Sequence, residues 1–409
     1  MGDPRVLLDQ ASQLRQAGDL SGAVNLLRGG VAQHAGIPTV WNMLGILQLE
    51  LRDPAAAASS FQRAVEIDPA APLLLNLARA QRAIADYAGQ LDSLNRALSA
   101  DPYYLPAILD KGEALFALGK DEEALELYRL FFEGLDPNEQ FPPPIAERLA
   151  AARKILDEAG DRKMAAFAKT LDEVAAENKD ADLRRVRAYA ENRAGKRKIY
   201  QQRPTGSHFP YLPAFEFFDR SLFPWFDELE KQTDAIRQEM FSLWADQDSR
   251  FRPYVAYGAG VPLNQWAELN HSLDWSAWFF WEDGVRNDEN CARCPKTAAA
   301  IEAAPMLDIP GKAPTVMFSI LKPRTRIPPH TGTSNTRVTV HLPLIVPPGC
   351  RFRVGADTRE WREGEAWAFD DTIEHEAWND SDQPRAILII DAWNPLLTEA
   401  EREVVRRIG

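Results

Sequence analysis

The sequence predicts an α+β chain in two parts, an N-terminal α-helical repeat solenoid followed by an antiparallel double-sheet β-barrel domain. Three observations carry this. The first 140 residues repeat at intervals of 33 or 34, ten of the eleven tryptophans come after residue 220, and short β-rich runs separated by turn signals begin at residue 315.

One unit of a repeat array cannot bury its apolar face alone, so a period is the first thing to establish. Aligning Gly18-Asp19, Arg52-Asp53, Ala85-Asp86 and Gly119-Lys120 gives spacings of 34, 33 and 34 residues between the second members. Asp-Pro recurs at Asp68-Pro69, Asp101-Pro102 and Asp136-Pro137. Within one unit, Trp41, Leu44 and Gly45 are followed by Ala57, Phe61, Ala64 and Pro69, as in two amphipathic helices with a small residue at their crossing. Beyond Pro144, residues Ile145, Leu149, Ile155, Met164, Phe167 and Leu171 keep near-helical spacing, which predicts capping or connecting helices. Pro204, Gly206, Pro210 and Pro213 then end helical structure. The expected domains are 1–140, 141–200 and 201–409.

Five runs read as strands: Thr315 to Leu321, Arg337 to Ile345, Cys350 to Val354, Ala366 to Asp370 and Ala386 to Trp393. Their short spacing suits a jelly roll. Trp275, Trp278 and Trp281 recur every three residues, which predicts one helical face packed in a core.

Composition narrows the function. At 409 residues, 45% hydrophobic and 26% charged, the chain has the make-up of a soluble multidomain protein, and no apolar run reaches the ~18 residues a membrane span needs. A formal charge of -13 repels phosphate backbones, which excludes nucleic acid as the expected partner. The basic cluster Arg184, Arg185, Arg187, Arg193, Lys196, Arg197 and Lys198 reads as a solvated face. The opening MGDPRVLLDQ has no basic region leading into an apolar stretch, and three cysteines are too few and odd in number for a disulfide framework. A cytoplasmic protein with reduced thiols is expected. Cys291-Ala-Arg-Cys294 lacks a second cysteine pair to complete a zinc site and is expected to be a loop.

Of only six histidines, His330, His341 and His375 fall within 46 residues of strand-like sequence. Loop mouths of β-barrels are where open metal sites are built, and imidazole is a good ligand for Fe(II). The usual third ligand of such a site is a carboxylate two residues after the first histidine, and that position is Gly332. Isolated histidines are more often structural, so the residues alone leave both readings open. Asp370, Asp371 and Glu374 flank His375 and are expected to orient it or cap a strand end. On the strand from 337, period two puts Arg337, Thr339 and His341 on one face, opposite Val338, Val340 and Leu342.

Two motifs decide between the readings, His330-Thr-Gly-Thr-Ser-Asn-Thr-Arg337-Val-Thr-Val-His341-Leu and Phe369-Asp-Asp-Thr-Ile-Glu-His375-Glu-Ala-Trp378. With Phe217-Phe218-Asp219-Arg220-Ser221 and Cys294-Pro295-Lys296-Thr297, they make roughly residues 205 to 396 resemble the aspartyl/asparaginyl β-hydroxylases. Residues 4 to 137 resemble the tetratricopeptide repeat, with Gln48 where a tyrosine is usual and Asn76-Leu77-Ala78 where Leu-Gly is usual. The first resemblance implies a double-stranded β-helix binding Fe(II) through two histidines without a carboxylate, here His330 and His375. It implies 2-oxoglutarate and O2 as co-substrates, with Ser319 and Arg385 on the distal carboxylate and His341 on the proximal one. Arg337 matches a residue that reads the acidic side chain of the substrate, while Thr339 stands where the vertebrate enzymes have a further arginine. The implied reaction is hydroxylation of the β-carbon of an Asp or Asn residue in a peptide or protein, with the repeats helping to hold it. Hydroxylation of a small molecule or carrier-bound amino acid, and a non-catalytic repeat scaffold with a degenerate barrel, are the alternatives.

Overall fold

A computed structural model describes residues 3–136, 139–179, 182–245 and 251–408; Pro137 of the third Asp-Pro pair lies outside them. The chain divides into two compact units, Met1–Lys196 and Arg197–Gly409. No helix among the described residues is long and apolar enough to cross a membrane.

Unit 1 begins with four helix pairs: α1 (Pro4–Gln16) and α2 (Leu20–Gly30), α3 (Pro38–Glu50) and α4 (Pro54–Ile67), α5 (Ala71–Ala83) and α6 (Tyr87–Ala100), α7 (Leu105–Ala117) and α8 (Asp121–Gly134). The aligned dipeptides are the turns within these pairs. Their first members Gly18, Arg52, Ala85 and Gly119 all adopt positive φ, between 61° and 81°. The following Asp19, Asp53 and Asp86 accept hydrogen bonds from Gly22 N, Ala56 N and Gly89 N, which caps the second helix. Lys120 has no side chain able to cap, and α8 instead opens with Asp121, Glu122 and Glu123 at its positive end.

Gly45 is required by close packing: a Cβ there would lie 2.6 Å from the Phe61 ring. Where an aromatic is usual, the second unit places buried Gln48, whose Oε1 accepts from Ser60 Oγ at 2.6 Å, and the third repeats the device with Gln81 and Ser93 at 2.8 Å. Polar side chains also tie the first helices of successive pairs, through Asn76 to Asn42 and Arg79 to Asp110. Two further helices follow, α9 (Pro143–Glu177) and α10 (Arg184–Arg193), and Leu149 and Ala152 of α9 pack on Leu109 and Tyr128.

Unit 2 contains β1 (Arg252–Pro253), β2 (Trp275–Glu282), β3 (Val285–Arg286), β4 (Val316–Leu321), β5 (Thr325–His330), β6 (Arg337–Ile345), β7 (Cys350–Val354), β8 (Asp357–Glu360), β9 (Trp367–Phe369), β10 (His375–Asn379) and β11 (Arg385–Trp393). They form two antiparallel sheets, one in the order β1-β2-β4-β11-β6-β9 with β3 beside β2, the other β5-β10-β7-β8. The larger sheet is covered on one face by α11 (Phe226–Lys231), α12 (Thr233–Ala245), α13 (Asp288–Arg293) and α14 (Pro295–Glu302), which share a core with Val338, Val340, Leu342, Leu388 and Ile390. Its other face packs on the smaller sheet, with Leu321 and Ile387 against Ile327, Phe352 and Ala377. The last helix is α15 (Glu399–Ile408).

Several sequence expectations need correction. Trp275, Trp278 and Trp281 lie on strand β2, not a helix. Three-residue spacing on a strand sends Trp275 into the core between the sheets and Trp278 into the core under the helices, and a register shift between Phe279 and Trp281 keeps Trp281 with Trp278. Cys291 and Cys294 belong to α13 and to the cap of α14 rather than to a loop, and burial pushes both thiols up, Cys294 to about 12. Arg197 is not part of a solvated face: it is largely buried and pairs with Glu216 and Asp357. Lys196 pairs with Asp157 and Asp161.

Candidate functional site

A cavity of about 760 Å³ in unit 2 is lined by both sheets and by residues 252–257, 266 and 271 of the segment before β2. Its polarity follows from strand alternation. Arg385, Ile387, Ile389 and Asp391 of β11 all face it, as do Arg337, Thr339 and His341 of β6, while the residues between them enter the apolar core. Arg385 and Asp391 are six residues apart on one strand, which sets them at opposite ends of the cavity, roughly 20 Å apart.

His330 and His375 meet across the smaller sheet. They are directly opposed residues of β5 and β10, and their ring centroids are 4.1 Å apart. His330 is the last residue of β5 and His375 the first of β10. Prolines 328 and 329 concealed β5, because proline cannot donate to a ladder and is tolerated only at a sheet edge, where β5 lies. Each Nδ1–H donates to a backbone carbonyl two residues earlier, of Pro328 at 2.8 Å and of Ile373 at 3.0 Å, with the tautomer assigned from that bond. That leaves Nε2 of each ring with its lone pair and no hydrogen-bond partner among the described residues. Burial draws both imidazoles below their usual titration range, His375 well below, so both are neutral as a metal ligand must be. No group of three or more His, Cys, Asp or Glu able to hold a metal occurs among the described residues, so the pair stands without a clustered third ligand.

Gly332 makes room for a carboxylate. A Cβ built there would collide with the Asp371 carboxyl group, and Gly332 N donates to Asp371 O at 2.6 Å. Asp371 Oδ2 accepts from Arg337 Nη2 at 2.6 Å, and its buried Oδ1 has no partner. Arg337 Nη1 donates to Asp391 Oδ2 at 2.9 Å. Arg337, the expected reader of an acidic substrate group, lies in a triad with two buried carboxylates of the chain itself. Burial pushes the Asp391 carboxyl above the usual range, against the pull of Arg337. Asp370, the other flanking acid, caps the following turn by accepting from Thr372 N and Oγ1.

The opposite end holds Arg385, Ser319, His341 and Trp361. Arg385 is 1% exposed, its Nε and Nη1 have no partner, and its guanidinium stands 5.1 Å over the Trp361 ring. Burial with no anion beside it draws this guanidinium down to about 10, so it remains a cation at neutral pH. Trp361 Nε1 donates to His341 Nδ1 at 3.3 Å, which leaves the His341 proton on Nε2, and burial with the nearby Arg385 charge keeps that ring neutral. Ser319 Oγ accepts from Trp275 Nε1 at 3.1 Å and keeps its own proton to donate. The sequence did not single out Trp361, Trp266 or Tyr254 as cavity residues. Trp266 packs edge-on against His330 at 4.9 Å and Tyr254 stacks on Trp275 at 4.0 Å.

Unit 2 is thus defined by two antiparallel sheets that enclose a histidine pair at one station and a lone buried cation at another, and unit 1 by a helical repeat array. Residues 230–395 match the family model described as aspartyl/asparaginyl beta-hydroxylase, and residues 38–70 match the tetratricopeptide repeat. The chain is 26% identical over 422 residues to the aspartyl/asparaginyl beta-hydroxylase of Homo sapiens, covering 97% of this chain and 54% of that protein. It is 34% identical over 186 residues to the ornithine lipid ester-linked acyl 2-hydroxylase of Rhizobium tropici, 45% of this chain and 62% of that protein. With aspartate beta-hydroxylase domain-containing protein 2 of Mus musculus it shares 26% identity over 207 residues, 50% of this chain and 58% of the other. The chain therefore spans a little over half the length of these relatives. Unit 2 is thus similar to the aspartyl/asparaginyl β-hydroxylases, and unit 1 contains a match to the tetratricopeptide repeat.

The Gly332–Asp371 contact is testable without any ligand. Gly332→Ala should destabilise the protein, and Asp371→Ala in the same chain should relieve part of that loss, so a double-mutant cycle read by denaturant unfolding should give a coupling of about 1 kcal/mol or more. Additive effects would contradict the contact.

Proposed function

We propose that unit 2 is an Fe(II) and 2-oxoglutarate dependent dioxygenase, built on a double-stranded β-helix, that hydroxylates the β-carbon of an Asp- or Asn-type residue in a peptide or protein. The observation that carries this reading is Arg385, a buried cation without an anion at the end of a cavity whose other polar groups suit a dicarboxylate. A lone buried charge costs several kcal/mol and is retained where a ligand supplies its partner.

The residues present fit the implied groups. His330 and His375 would hold iron through the two unpartnered Nε2 atoms, with the orphaned Oδ1 of Asp371 left to accept a hydrogen bond from a bound ligand. When bound, iron(II) couples oxygen to the oxidative decarboxylation of 2-oxoglutarate, one oxygen atom entering succinate and the other the substrate carbon. Arg385 and the Ser319 hydroxyl would take the distal carboxylate, and His341 Nε2–H would donate to the proximal one. Trp275, Phe352 and Phe369 line the same space and exclude water from it. A second reading, hydroxylation of a small molecule, draws support from the relative named for an ornithine lipid.

His330→Ala and His375→Ala should each reduce oxygen-dependent succinate formation by about a hundredfold or more, in line with loss of a metal ligand or its support. Wild-type turnover in both variants would refute the metal assignment.

The repeats would hold parts of a long substrate remote from the reacting carbon, which supplies binding energy without touching the site. Removing residues 1–196 should then weaken hydroxylation of a long substrate far more than that of a short peptide, with circular dichroism verifying the fold of unit 2. Equal losses would leave the repeats a role in assembly only.

A further inference from the structure

The two ends of the cavity are matched to different charges. Arg385 at one end is a cation waiting for an anion. At the other end the lining charges are Arg252, Arg337, Glu282, Asp283, Asp371 and Asp391, two guanidiniums against four carboxylates. Neither guanidinium is uncommitted: Arg252 pairs with Glu282, and Arg337 places one Nη on Asp371 and the other on Asp391. Thr339, directly across the ladder from Asp391, is buried and neutral.

On the hydroxylase reading above, we infer that the outer half of the cavity selects against a negative charge on the reacting residue, so that an asparagine-type amide is accepted in preference to an aspartate carboxylate. A carboxylate brought between the histidine pair and the Arg337 triad would be desolvated with no free cation to receive it, next to Asp371 and Asp391. An amide loses far less on desolvation, and its N–H groups can donate to the carboxylates already there. The triad is one charge short of neutral, because two carboxylates share one guanidinium. Substrate charge is therefore decided by Thr339 and Asp391, which touch the outer half, and not by Arg385, which faces the co-substrate.

The test uses the full-length protein with Fe(II) and 2-oxoglutarate under anaerobic conditions at pH 7.5. Quenching of tryptophan fluorescence, to which Trp266 and Trp275 in the cavity contribute, is followed with two probes, the N-acetyl methylamides of asparagine and of aspartate. The asparagine probe should bind at least about tenfold more tightly, the scale set by an unpaired buried charge. Thr339→Arg and the sterically conservative Asp391→Asn should each narrow that ratio, since each brings the triad to neutrality. Equal affinity for the two probes, tighter binding of aspartate, or no response to either while 2-oxoglutarate itself quenches would each overturn the inference and leave the co-substrate site intact. No response to 2-oxoglutarate would sink the hydroxylase reading and the inference with it.

Discussion

The C-terminal unit is organised around the burial of a guanidinium that has no anion of its own. Arg385 opens β11 in the middle of the larger sheet, flanked by β4 and β6, and its side chain is 1% exposed. In a protein interior such a charge is ordinarily neutralised by a carboxylate from the chain. Here Cys350, Trp361 and His341 are the polar or polarisable groups around it, and on the proposed function a ligand in the cavity supplies the missing anion. The aromatic wall, the neutral His341 and the Ser319 hydroxyl line the same cavity.

The contrast with Arg337 shows how one strand alternation produces two chemical environments. Arg337 and Arg385 face the same cavity, yet the first is satisfied within the chain by Asp371 and Asp391 and the second is not. Gly332 contributes by absence: without a Cβ it lets the Asp371 carboxylate come alongside the histidine pair and still reach Arg337. The sequence showed the glycine as a missing ligand, whereas its space is filled by a carboxylate from the neighbouring strand connection.

Much of this was legible in the sequence where one local rule governs. The helix pairs follow from a period marked by a left-handed residue and an N-cap aspartate, and the β6 face follows from period two. The unread parts depend on partners distant in sequence. β5 was hidden by Pro328 and Pro329, whose edge position only the assembled sheet reveals. β2 was read as helical because tryptophans three apart suit a helix, and only its pairing with β4 exposes the bulge that spaces them. The partners of Arg337 could not be read either, because Asp371 and Asp391 reach it from 34 and 54 residues away. Trp361, which supports both Arg385 and His341, sits among polar residues that give no local sign of burial.

The central claim is that Arg385 is destabilising until its ligand arrives, and Arg385→Met measures it most directly. The account predicts that the ligand-free variant unfolds at a higher denaturant concentration than the natural chain, because an unpaired buried charge is replaced by an apolar side chain, a change worth ~1–4 kcal/mol in comparable cases. It also predicts that 2-oxoglutarate stabilises the natural protein but not the variant. A ligand-free variant less stable than the natural chain and still stabilised by 2-oxoglutarate would contradict it.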